Sequence, residues 1–271
     1  MGYANMLVSV DLDRGCADRV RLAAGLAKRF EADMTGVAAR PIPGPSAFTN
    51  LQEDGILRAA EERRYRDEAA RVWDVFTRNA GDALRTDWHC TEGYPTANLA
   101  REARAADLVV VGRHSEADGV PGAMAVLPGP LLMEVGRPVL VVPPDAEHLG
   151  ADRIVVAWKD TLEARRAVSA AMPFLRQADH VYFVSVGPEA ASQGTEAVAD
   201  HLRRHGANVT IHVLEPSLRG EADDVIRFAR REYADLIVMG AYGHSRLREW
   251  AFGGMTQDIL QTAPVCCLMS H

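Results

Sequence analysis

The chain has 271 residues, of which 48% are hydrophobic and 25% charged. That is an ordinary globular composition, long enough for two domains of usual size, so disorder is not the expectation. A formal net charge of -7 and a pI near 5.7 exclude a general attraction to nucleic acid or to an anionic membrane surface.

No stretch approaches membrane-spanning length and no charged n-region leads into an apolar h-region, so a cytoplasmic protein is expected. The first apolar run, Met6-Leu7-Val8-Ser9-Val10-Asp11, predicts a strand, and Leu22, Leu26 and Phe30 follow at the spacing of a helix's inner stripe. Arg40-Pro41-Ile42-Pro43-Gly44-Pro45 is a Pro-rich loop, after which charged and apolar residues mix at helical spacing through residues 51–84 and predict a long second helix. Ala106-Asp107-Leu108-Val109-Val110-Val111-Gly112 and Arg137-Pro138-Val139-Leu140-Val141-Val142 read as the fourth and closing strands of this half. The segment from Pro143 to Gly150 has the turn chemistry of a linker, which places a domain boundary near residue 147 and divides the chain into 1–146 and 150–271.

The second part repeats the first. Ile154-Val155-Val156-Ala157-Trp158-Lys159 matches the opening strand, Ala234-Asp235-Leu236-Ile237-Val238-Met239-Gly240 the fourth, and Ala263-Pro264-Val265-Cys266-Cys267-Leu268 the last. Strands are predicted at 153–158, 180–186, 208–214, 236–239 and 264–269. Helices are predicted at 163–176, with Val168, Met172 and Leu175 on one face, and at 196–205 and 221–233. Continuous apolar runs alternating with helical spacing mark βαβ units around a parallel sheet buried on both faces.

Gly240-Ala241-Tyr242-Gly243 and Gly253-Gly254-Met255-Thr256 lie between the strand ending at Met239 and the helix-like Thr256-Gln257-Asp258-Ile259-Leu260. Glycines there let backbone N–H groups approach an anion, and the start of the following helix adds a positive dipole end, so the loop suits a phosphate. Without a ligand, the same glycines read as a tight loop. No G-x-x-x-x-G-K-[ST] occurs, and no G-x-G-x-x-G follows the first strand of either half, which argues against a P-loop NTPase and a dinucleotide-binding domain. His244, Arg246 and Arg248 are candidates to neutralise phosphate charge, against the alternative of simple solvation. Trp250 and Phe252 read as packing residues of the loop, and Trp158 as a core or pocket-wall residue. Cys16, Cys90, Cys266 and Cys267 form no CxxC and have no zinc-spaced histidines, so they read as reduced, mostly buried hydrophobes. No G-x-S-x-G elbow or readable His–carboxylate pair is present, and an enzyme is the minority reading, a weak ATPase within it.

With duplication and loop together, the chain resembles a tandem universal stress protein over essentially its whole length. The pattern G-x2-G-x9-G-[ST] is met at Gly240, Gly243 and Gly253, and the stretch after Gly243 with the Pro264-Val265 ending fits bacterial tandem members. The resemblance implies an α/β protein of two tandem doubly wound domains (adenine nucleotide alpha hydrolase-like), each a five-stranded parallel sheet flanked by helices, packed as an internal pseudo-dimer through their final strands. It implies a stress-response regulator that binds ATP or a related adenine nucleotide, with Mg accompanying it, and has protein partners but neither nucleic acid nor membrane as partner. A further homodimer is left open.

Carried over by residue, the implied site is Gly240, Gly243, His244, Arg246, Gly253, Gly254, Met255 and Thr256 in the loop, Lys159 or Asp160 after strand one, and Val186 at the end of strand two. Two departures stand out: Gly254 replaces the usual Ser or Thr, and Lys159 replaces a strand-one Asp, exchanging an acceptor for a donor-only cation. The first half reverses this. Asp11 matches the strand-one Asp, but Gly112-Arg113-His114-Ser115 and Pro128-Gly129-Pro130 lack the later glycines, and proline removes amide donors, so a non-binding partner domain is expected. The competing function is a nucleotide-independent interaction scaffold with both sites degenerate.

Overall fold

The computed structural model describes residues 2–41, 51–81, 85–114, 119–189, 193–243 and 254–271, with side chains 51–54 excepted. The first half runs β1 (Asn5–Ser9), α1 (Cys16–Phe30), β2 (Asp33–Arg40), α2 (Leu51–Ala80), β3 (Thr86–Glu92), α3 (Pro95–Glu102), β4 (Leu108–Gly112), α4 (Pro128–Glu134) and β5 (Val139–Val142). The second runs β6 (Arg153–Ala157), α5 (Leu162–Leu175), β7 (His180–Val186), α6 (Thr195–Arg204), β8 (Val209–Leu214), α7 (Glu221–Arg231), β9 (Leu236–Gly240), α8 (Met255–Thr262) and β10 (Cys266–Ser270).

All ten strands form one sheet in the order β3-β2-β1-β4-β5-β10-β9-β6-β7-β8. Every neighbouring pair is parallel except β5 and β10, which run antiparallel with Leu268 opposite Leu140. Two sheets of identical winding are thus joined edge to edge at their last strands, and each seals an edge of the other that would otherwise expose unpaired N–H and C=O groups. Strands β4, β6, β9 and β10 are buried almost throughout, as the uninterrupted apolar runs require of a sheet covered on both faces.

One core lies under α1, α2, α5 and α6, the other under α3, α4, α7 and α8. Leu22 and Leu26 of α1 are buried as their spacing predicts, and Phe30 joins Tyr3 and Phe174 in an aromatic cluster that spans the two halves, with centroids 5.1 to 5.5 Å apart. The Tyr3 hydroxyl donates to Ala170 O at 2.7 Å, tying β1's approach to α5. In α5, Val168 and Leu175 are buried and Met172 is partly so, packed against the same core.

Helix α5 starts at Thr161, whose Oγ1 accepts from the Ala164 N–H at 3.2 Å. Helix α7 carries Glu221, Asp223 and Asp224 in its first turn and Arg230 and Arg231 in its last, a charge order that complements its dipole. The four cysteines are free, three of them buried, and burial pushes the Cys16 thiol up to about 11 and the Cys266 thiol up to about 12. Among the described residues no helix is long and apolar enough to cross a membrane.

Candidate functional site

In the second half, strand order reverses between β6 and β9, so the helices that follow these strands leave toward opposite faces and open a crevice at their carboxyl ends. A cavity of about 570 Å³ lies there. Its lining comes from the ends of β6 (Ala157, Trp158, Lys159), β7 (Val184, Val186, Gly187) and β9 (Met239, Gly240), together with the first turns of α7 and α8.

The floor is built by close approach of backbone to backbone. A Cβ on Gly240 would stand 2.5 Å from Ala164 N and 2.8 Å from the Glu163 carbonyl carbon, so the first turn of α5 seats against this position only if it is glycine. Gly243 differs. A Cβ there would meet Glu163 Oε2 and Thr161 Cγ2 at 3.6 Å, an ordinary contact, so no packing among the described residues requires the glycine. Its missing side chain leaves room on the cavity side, where Gly243 is part of the lining.

Thr256, in the first turn of α8, is buried and lines the cavity; its Oγ1 accepts from the Tyr242 N–H at 3.1 Å. That bond leaves the hydroxyl proton available for a ligand. Met255 lines the cavity beside it, whereas Gly254 serves as the N-cap residue of α8 and is not part of the lining. Gly254 carries no hydroxyl, but the helix turn brings the Thr256 hydroxyl to the cavity.

Lys159 is exposed at the rim and has no carboxylate within ion-pair distance among the described residues. Asp160 turns away from the cavity and pairs with Arg165 at 2.6 Å, so it does not take the place of the missing strand-one carboxylate. Val186 lines the cavity as expected of the end of strand two. Trp158 is buried against Phe183 and donates its Nε1–H to Gln193 O at 2.9 Å, which makes it a wall residue. His244, Arg246, Arg248, Trp250, Phe252 and Gly253 lie outside the described residues.

A residue the sequence did not single out is Glu163. Its side chain is buried, and Oε2 has no hydrogen-bond partner among the described residues. The residue is not part of the cavity lining: Oε2 lies behind Gly243, where a Cβ on that glycine would stand 3.6 Å from it. The sequence signal was faint, because an acid in a helix's first turn ordinarily does no more than complement the dipole.

In the first half the matching acid is paired within the protein. Asp11 follows β1 as Lys159 follows β6, yet its Oδ2 receives Arg19 Nη2 at 2.7 Å, and Arg19 Nε donates to Ser9 O at 2.9 Å. Both side chains are buried. Burial works against the Arg19 charge, but the Asp11 carboxylate more than offsets it and raises the guanidinium above its ordinary value. A Cβ on Gly112, the counterpart of Gly240, would run into this guanidinium. Prolines at 128 and 130 also remove two amide donors from the first turn of α4.

Comparison with known proteins agrees with this geometry. Residues 150–271 match the model of the universal stress protein family. A universal stress protein from Archaeoglobus fulgidus superposes on 97% of this chain and 94% of its own length, at TM-score 0.70 and 13% identity. A functionally unknown protein from Pseudomonas aeruginosa covers 98% of this chain and 92% of its own, at TM-score 0.56 and 16% identity. At those identities both similarities speak for the fold. Sequence comparison with curated proteins returns no significant match. The second half of the chain, residues 150–271, is a domain of the universal stress protein family, and the first half repeats its fold as in a tandem universal stress protein.

Proposed function

We propose that the chain is a non-catalytic stress-response regulator of the cytoplasm that binds one adenine nucleotide, ATP or a close relative, in domain 150–271, while domain 1–146 is a non-binding partner. The observation that carries the reading is the cavity itself. Its volume of about 570 Å³ lies within the range of about 300–1,000 Å³ usual for small-ligand sites, and it sits at the strand-order reversal where α/β sheets hold ligands.

The chemistry divides along the cavity. Val184, Val186, Pro188 and Val225 give an apolar wall suited to a base. The Gly240–Gly243 backbone, the Thr256 hydroxyl and the amide end of α8 suit phosphate oxygens, with Lys159 as the cation at the rim. Among the described residues no group of three or more His, Cys, Asp or Glu side chains is placed to hold a metal ion alone. A Mg ion accompanying the nucleotide would be held by the phosphates, and its charge would offset the Glu163 carboxylate that lies behind Gly243.

The test is chemical. Protein purified without added nucleotide is denatured and the released small molecules are identified by mass spectrometry. An adenine nucleotide near one equivalent per chain supports the reading. Its absence, together with no ATP binding up to about millimolar, roughly 4 kcal/mol of binding energy, leaves the nucleotide-independent scaffold.

A further inference from the structure

Tyr242 stands between the two halves of the molecule. It lines the cavity, its N–H holds the Thr256 hydroxyl, and its ring packs into the core shared by α4 and α8. It is also a non-glycine residue in the left-handed region, with φ at 53°, a conformation that glycine or asparagine takes more readily. A side chain kept at such a position needs something to do. The hydroxyl of Tyr242 reaches the first half: a Cβ placed on Gly129, in the first turn of α4, would stand 2.8 Å from it. The Pro128-Gly129-Pro130 segment, degenerate as a phosphate loop, thus forms the seat of the Tyr242 hydroxyl.

We infer that Tyr242 is a positioning residue through which the first half sets the geometry of the ligand site in the second. Seating of its hydroxyl at Gly129 fixes the ring, the ring fixes the strained backbone at 242, and that backbone holds the Thr256 hydroxyl toward the cavity. The inference rests on the nucleotide reading for the identity of the ligand, though not for the coupling itself. The converse also follows, because a coupling between two sites is reciprocal: a ligand that pulls on Thr256 or on the loop alters how α4 packs.

The geometry provides a clean test with three full-length variants, Gly129→Ala, Tyr242→Phe and the two combined. Gly129 has no left-handed φ, so alanine fits its backbone and the only tight contact introduced is with the Tyr242 hydroxyl. Removing that oxygen relieves it, since the next atoms, Leu260 Cδ1 and Tyr242 Cζ, stand at 3.9 and 4.0 Å. In ligand-free protein, Gly129→Ala is expected to speed hydrogen exchange of the Tyr242 amide by about tenfold. ATP affinity is expected to fall by a similar factor, about tenfold. The double variant is expected to match Tyr242→Phe alone in both exchange and affinity, because without the oxygen the alanine methyl meets nothing tight. Unchanged exchange in Gly129→Ala, or a defect that Tyr242→Phe does not relieve, overturns the inference. If wild-type protein binds no ATP, the nucleotide reading fails, and the exchange data still decide the coupling.

Discussion

Arg19 Nη2 lies 2.7 Å from Asp11 Oδ2, a buried ion pair beside Gly112 in the first half, whereas at the matching place in the second half Lys159 stands exposed on the lining of a cavity. The same fold therefore holds an acid neutralised within the protein in one half and an exposed cation at a cavity in the other. The difference comes from a guanidinium on α1 where α5 has small residues, Ala164 and Ala167, facing its strands.

Removing one member of that pair strands a charge. Arg19→Ala is expected to destabilise the protein by about 3–5 kcal/mol, because Asp11 is left buried without its partner. Replacing both with apolar residues, Asp11→Leu with Arg19→Met, is expected to recover most of the loss. Urea unfolding of the three proteins checks this, and equal losses in the single and double variants would contradict it.

Thr256→Val keeps the shape of the side chain and removes its oxygen. The Tyr242 N–H then lacks its acceptor, so stability should fall by about 1–3 kcal/mol. ATP affinity should fall with it, by about tenfold for one lost hydrogen bond in the site. Thermal unfolding and calorimetric titration measure the two effects separately.

Glu163→Gln should change the role of Mg more than the role of ATP. In wild-type protein Mg is expected to tighten ATP binding, because it reconciles the Glu163 carboxylate with the phosphates. In the variant that enhancement should shrink by about tenfold, with Mg-free ATP bound at least as well as by wild type. An unchanged response to Mg would contradict that role.

Asp224, in the first turn of α7, should give an acid-dependent share of stability. Burial opposes its ionisation. The Ser217 N–H at 2.9 Å and the Arg227 guanidinium more than offset this and hold the carboxyl below its usual range. A depressed folded-state value means that the stabilisation is complete above the unfolded carboxyl value of about 3.9 and is lost as pH falls through the lowered one. Asp224→Asn should therefore be less stable than wild type at pH 7, and the gap should close on acidification. Unfolding midpoints across that range give the answer.

Much of this architecture is legible in the chain. The matching runs at Met6 and Ile154, Leu108 and Leu236, and Val139 and Val265 announce a duplicated parallel sheet, because strands buried on both faces must be apolar at every position. Gly240, Gly243, Met255, Lys159 and Val186 converge on one cavity because each lies just past a strand end or at a helix start. What stayed hidden depends on contacts between distant segments. Arg19 shares the inner stripe of α1 with Leu22 and Leu26, and that spacing marks it as buried, but only the fold shows that Asp11 awaits it. Glu163 and Asp160 are both acids beside the same turn. Which of them faces inward was decided by the capping geometry of Thr161 and by Arg165, which draws Asp160 outward. The seat of Tyr242 on Gly129 joins two loops from opposite halves and leaves no periodic trace.

The central claim is one ligand site per chain, in the second half, and titrating ATP into nucleotide-stripped protein tests it most directly. Wild-type protein should bind with a stoichiometry of one. Gly243→Asp should bind none, since it sets a carboxylate against both the ligand's phosphates and Glu163, while Gly243→Ala, whose methyl makes only ordinary contacts, should melt as wild type does. No binding by wild type, two sites per chain, or unimpaired binding by Gly243→Asp would contradict the account.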